Sequence, residues 1–87
     1  MKMLYFSAYW CAPCKVFKPI VEKVCNEKGL DFEVISVEDN AELTRQHNVK
    51  SVPTLIIIGK SGLEIFRTAS AIPEAALCEI LEGCSNA

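Results

Sequence analysis

Of 87 residues only one is histidine, His47, and one is tryptophan, Trp10, while glycine and proline occur four times each. So little Gly and Pro excludes collagen-like and low-complexity chains. A single His with no second Cys-x-x-Cys pair leaves too few ligands for a structural zinc site. An excess of one charge sign is also lacking. Nine Lys and Arg stand against eleven Asp and Glu, a formal net charge of -2, so there is no electrostatic footprint for nucleic acid or an anionic membrane. Long apolar runs are missing too: stretches such as Leu55 to Ile58 fall far below the roughly 18 to 20 residues that span a bilayer, and no membrane anchor is expected. The segment Met1 to Trp10 has the apolar look of a signal peptide but meets Cys11 without a small-residue cleavage site, so it reads as structure in a cytoplasmic protein.

What is present is a core. Half of the chain, 51%, is hydrophobic and 23% is charged, enough for one compact unit over residues 1–87. A chain this short hides only about 60 to 65% of its unfolded surface, which leaves no room for a second domain. Five cysteines in a secreted chain would suggest a disulfide scaffold. Their odd number and the core-sized apolar content argue instead for a reducing compartment with one special pair.

Apolar Met3 to Ala8 predicts a buried strand, and Pro13 suits the first turn of the helix that follows, where a missing N–H costs nothing. That helix runs to about Lys28. Phe17, Ile20, Val21 and Val24 share one face, Lys15, Lys18, Glu22 and Asn26 lie opposite, Pro19 should bend it, and Gly29 caps it. Phe32 to Val37 predicts a second strand, and Asp39 with Glu42 a capping box for a short helix ending near His47. After Pro53, Leu55 to Ile58 and Leu63 to Thr68 form a hairpin around Gly59-Lys60-Ser61-Gly62. A last helix starts near Pro73, turns Leu77, Ile80 and Leu81 inward, and stops at Gly83. The order β-α-β-α-β-β-α makes an α/β fold with a four-stranded mixed sheet.

The chemistry concentrates in Trp10-Cys11-Ala12-Pro13-Cys14, where the first strand hands over to the helix. A thiol attacks only as thiolate, and the unpaired N–H groups and positive dipole end of a helix N-terminus favour that anion, so Cys11 is expected to have a lowered pKa. At about 100° per residue Cys14 lies closer to the apolar stripe, so Cys11 should face outward and Cys14 be recessed. Cys11 then attacks a target disulfide, and Cys14 resolves the mixed disulfide. Trp10 is expected to shield the pair. Cys25, Cys78 and Cys84 read as inert thiols, with Cys84 folding back after Gly83 and Cys78 the most exposed of the three. Lys15 and Lys18 read as solvated charges, and His47 as a packing or capping residue beside Leu43.

Over nearly its whole length the chain resembles the thioredoxin family. The resemblance rests on Trp10-Cys11-Ala12-Pro13-Cys14-Lys15, on Pro19 five residues beyond Cys14, and on Val49-Lys50-Ser51-Val52-Pro53-Thr54 before an aliphatic strand. It implies the thioredoxin-like fold in a minimal, glutaredoxin-sized version, and a thiol-disulfide oxidoreductase that reduces protein disulfides through Cys11 and Cys14 without metal or organic cofactor. It implies a cis bond before Pro53, which sits against the cysteine pair, and a Val52 backbone free to pair with an extended substrate. Thioredoxin reductase as electron donor and targets such as ribonucleotide reductase are implied partners, and a monomer is expected. A docking patch of Trp10, Ala12, Pro13, Val52, Pro53 and Ile72 follows from the same resemblance and from their apolar character. In place of the family's buried acid stands Tyr5, and in place of its Lys partner Val34, so the proton acceptor for Cys14 stays open. Ala12 replaces the usual Gly, which leaves the potential unassigned. Two alternatives remain: a glutaredoxin-like enzyme recharged by glutathione, against which the missing Gly-Gly-x-Asp stretch after Pro53 argues weakly, and a redox-inert binding module of the same fold.

Overall fold

The structure, a computed structural model, describes residues 1–85. Its elements follow the expected order: β1 (Lys2–Ser7), α1 (Ala12–Lys28), β2 (Asp31–Ser36), α2 (Ala41–Gln46), β3 (Thr54–Ile58), β4 (Glu64–Thr68) and α3 (Glu74–Ser85). The strands pair as β2-β1-β3-β4. Because α1 carries the chain back along the sheet, β2 lies parallel to β1, with Lys2 opposite Asp31. β3 then runs antiparallel to both β1 and β4.

Side-chain alternation along the two central strands divides the core. Met3, Tyr5, Leu55 and Ile57 point to one face, where they meet Phe17, Val21 and Val24 of α1 and Leu77 and Leu81 of α3. Leu4, Phe6 and Ile56 point to the other, joined by Ile35, with Leu43, Val49 and Ile58 packed around them. Burial on both faces explains why these strands read as unbroken apolar runs. Leu77 and Leu81 are fully buried, and each contributes about 1.5 to 3 kcal/mol by leaving water.

Helix α1 begins and ends as its sequence demands, with Pro13 in the first turn and Gly29 left-handed at φ 66°, its N–H donated to the Cys25 carbonyl. Pro19 lies inside the helix. Strand bounds shift by one residue, and two expected helix ends move. Asn40, rather than Asp39, stands at the start of α2 and makes no side-chain cap; Asp39 is occupied by the Tyr9 hydroxyl, which donates to its carboxylate, so the capping box does not form. Helix α3 runs through Gly83 to Ser85. Among the described residues only Gly29 and Gly62 are glycines at positive φ, and without a left-handed residue nothing turns the chain at position 83. Cys84 therefore packs on the core from within the helix instead of folding back onto it.

Candidate functional site

Cys11 is the residue immediately before α1, with extended dihedrals of φ -86° and ψ 104°. It has therefore left the strand but not entered the helix, and its side chain curls over the first turn so that Sγ accepts the Cys14 N–H at 3.2 Å. In doing so it satisfies one of the unpaired donors of the helix start. Its own N–H donates to the Ala8 carbonyl at 3.2 Å, closing the turn out of β1. Cys14 stands one turn further on. The Cα atoms are 5.3 Å apart and the two sulfurs are joined as a disulfide.

The expectation of an outward Cys11 does not hold: Cys11 is 2% exposed and Cys14 3%. A helical wheel assigns direction only to residues with helical dihedrals, and Cys11 has none. Both cysteines belong to the buried cluster, with Val52 and Ile72 packed against it. Trp10, expected as a shield for the pair, stands on the surface. It is 75% exposed and forms with Val37, Thr44, Val49, Lys50, Ser51 and Val52 an apolar groove of about 190 Å³.

The bond between Val52 and Pro53 is cis. Pro53 is buried and Val52 half-buried. The turn is tied by the Thr54 hydroxyl, which donates to the Ser51 carbonyl at 2.6 Å. Among the described residues Val52 makes no backbone hydrogen bond. Of the expected docking residues, the structure thus brings Trp10 and Val52 to one groove and packs Val52 and Ile72 against the buried cluster that holds the disulfide. Ala12 and Pro13 are exposed on the first turn of α1, while Pro53 is covered.

Behind Cys14 the phenol of Tyr5 donates to the Cys14 carbonyl at 2.7 Å. Its ring stands edge-on to Phe17, with centroids 5.8 Å apart, and burial pushes its pKa up to about 12. Tyr5 therefore holds its proton at neutral pH and anchors the helix start; it is no base. The sequence places Tyr5 beside the cysteines but carries no sign of this bond, which depends on how β1 meets α1. A second crevice, about 250 Å³, opens on this side between Ser7, Tyr9, Cys14, Lys15, Lys18 and Val34.

Elsewhere, Cys25 is fully buried, its thiol within hydrogen-bonding distance of the Met3 sulfur at 3.1 Å, and burial pushes its pKa up to about 11. Cys78 and Cys84 are half-buried free thiols. His47 packs its ring against Phe6, centroids 5.6 Å apart, and ends α2. Among the described residues no group of three His, Cys, Asp or Glu side chains could hold a metal ion, and no helix is long and apolar enough to cross a membrane.

Comparison with known proteins puts this geometry in a family context. The family model "Thioredoxin" matches residues 1–83. The thioredoxins of Mycobacterium bovis and Mycobacterium tuberculosis are 39% identical over 74 residues, which cover 83% of this chain and 63% of those proteins. The chain thus spans less than two thirds of the length of these curated relatives. Among solved structures, thioredoxin 1 of Thermosipho africanus superposes with a TM-score of 0.85 at 32% identity, covering 100% of both chains. A mutant thioredoxin of Halobacterium salinarum gives 0.87 at 28% identity, covering 94% of this chain and 72% of that one.

Proposed function

The chain belongs to the thioredoxin family, and we propose that it acts as a single-domain protein-disulfide reductase cycling between a Cys11, Cys14 dithiol and the disulfide. The observation that carries this reading is the bridge itself: two cysteines closed across the first turn of a helix, at its N-terminal end.

In the reduced state the helix N-terminus favours Cys11 as thiolate. That thiolate attacks one sulfur of a substrate disulfide, whose other sulfur leaves as thiolate and takes a proton from solvent. Cys14 then loses its proton to water in the crevice beside it, attacks Cys11 Sγ, and releases the second substrate sulfur, which is protonated in turn. The substrate gains two electrons and two protons, and the protein disulfide forms. Water is the acceptor because Tyr5 keeps its own proton. Cys11 is covered in the oxidised state, so the approach of a substrate requires local movement around it, and Val52 and Ile72 are half-buried side chains on the same buried cluster. An extended substrate segment pairs with the free backbone of Val52 and lies along the Trp10 groove. Ala12, Pro13, Val52 and Ile72 complete the docking surface, with the buried Pro53 behind it. A monomer in a reducing, cytoplasmic compartment fits the three unpaired thiols, with a thioredoxin reductase as electron donor.

Reduction of insulin disulfides tests the reading. The wild type should turn over with dithiothreitol or a thioredoxin reductase. C11S should be inactive, and C14S should stall as a mixed disulfide visible by mass spectrometry. Turnover with glutathione alone would favour the glutaredoxin-like alternative, and a wild type that reduces nothing would leave only a binding module.

A further inference from the structure

Strand β4 contains an irregularity that changes which residues share a face. Ile57 pairs with Phe66 and Ile58 with Glu64, so one step on β3 corresponds to two on β4 and Ile65 is the extra residue of a bulge. In a regular strand residues three apart point to opposite faces. Here the inserted residue reverses the alternation, and Glu64 and Arg67 both come to the side of Ile58 and Ile56, the face over which α2 lies. The guanidinium grips the carboxylate with both arms, Nε to Oε2 at 2.9 Å and Nη2 to Oε1 at 2.8 Å, a forked geometry that Lys cannot reproduce.

Held in this way, Arg67 reaches across to the end of α2. Nη2 donates to the His47 carbonyl at 2.5 Å and Nη1 to the Asn48 carbonyl at 3.3 Å. Asn48 is left-handed, with φ 55°, and it turns the chain into Val49, Lys50, Ser51 and Val52, one wall of the Trp10 groove. α2 itself has no fully buried residue, and the turn is otherwise held by its own short backbone bonds and by Val49 and the His47 ring packed on the sheet, so Arg67 is the side chain that ties it to β4. We propose that Arg67, braced by Glu64 across the bulge, is a positioning residue that fixes the His47–Val52 segment and thereby sets the affinity for an extended protein-disulfide substrate. The substrate arm of this proposal rests on the dithiol-exchange reading above.

The test compares Arg67→Met, Arg67→Lys and Glu64→Gln with the wild type. For insulin, Arg67→Met should raise KM about tenfold, equivalent to a modest loss of binding, with kcat and the rate of reaction with dithiothreitol unchanged. Arg67→Lys should recover part of the loss, and Glu64→Gln should show a smaller effect in the same direction. Amide hydrogen exchange at Asn48 and Val49, whose N–H groups donate to Arg45 and Thr44 carbonyls at 3.0 Å, should quicken in Arg67→Met while β1 amides keep their protection. Unchanged KM, or equal slowing with insulin and dithiothreitol, overturns the substrate role; exchange that stays at wild-type rates, or rises in β1 as well, overturns the clamp. If the wild type reduces no insulin, the functional reading fails, and exchange alone decides whether Arg67 holds the turn.

Discussion

The hydroxyl of Tyr5, in the middle of β1, donates to the carbonyl of Cys14, in the first turn of α1, at 2.7 Å. The bond joins a central, largely buried strand to the reactive end of the helix, so the position of Cys14 is set by the sheet as well as by its own helix. Tyr5→Phe removes one buried hydrogen bond and should cost about 1 kcal/mol, read as a lower urea midpoint. Because Tyr5 keeps its proton, the pH profile of insulin reduction should keep its shape in Tyr5→Phe. Loss of an inflection in that profile would make Tyr5 the base after all.

Alkaline stability follows from two buried acids. Tyr5 rises from 10.0 to about 12 on folding and Cys25 from 9.0 to about 11, both through burial. A raised folded value means that the native state holds its proton longer than the unfolded chain does, so this contribution is intact below pH 9 and lost as pH rises from 9 through 12. Urea midpoints should be flat with respect to these groups below pH 9 and fall above it. Cys25→Ala should remove the earlier part of the decline and leave the later part, which belongs to Tyr5; an early decline that persists unchanged in Cys25→Ala would refute the assignment.

Thiol reactivity should divide in the same way. With native protein in excess dithiobisnitrobenzoate at pH 8, the half-exposed Cys78 and Cys84 should react and the buried Cys25 should not, until denaturant is added. Rapid labelling of Cys25 in the native state would mean that α1 and β1 part far more readily than their packing implies.

Two glycines separate a real helix end from an apparent one. At Gly29 an added Cβ meets no atom within 4 Å, so Gly29→Ala carries only the backbone cost of a left-handed residue, about 1 kcal/mol, or roughly 4 to 8 °C in Tm. Gly83 also has open space around it but lies within α3. Gly83→Ala should therefore stabilise, by up to about 1 kcal/mol. Opposite signs in thermal unfolding are the expected result, and destabilisation by Gly83→Ala would restore a helix end at that position.

Substrate docking should show in Trp10 and Ile72. Trp10→Ala, at an exposed position, should leave Tm near the wild-type value and raise KM for insulin several-fold, because exposed aromatic anchors act through contact with a partner. Ile72→Asp should weaken insulin reduction more than reaction with a small dithiol. Equal effects on both substrates would remove Ile72 from the docking surface.

The element order, the cysteine pair at a strand-to-helix junction, the cap at Gly29 and the two-faced burial of β1 and β3 are all written in local pattern. Each depends on residues close in the chain: apolar spacing, a Pro in the first turn, a Gly able to adopt positive φ. What the tertiary structure decided lies where local rules compete or where distant segments meet. Asp39 could cap α2 or receive the Tyr9 hydroxyl, and it takes the hydroxyl. Cys11, on a helical wheel, would face solvent, yet as the residue before the helix it folds inward into the buried cluster. The Tyr5 bond to Cys14 and the Arg67 bonds to His47 and Asn48 join residues 9, 20 and 19 positions apart. Such contacts are set by sheet register and by one inserted residue in β4, and register is a property of paired strands that no single strand contains.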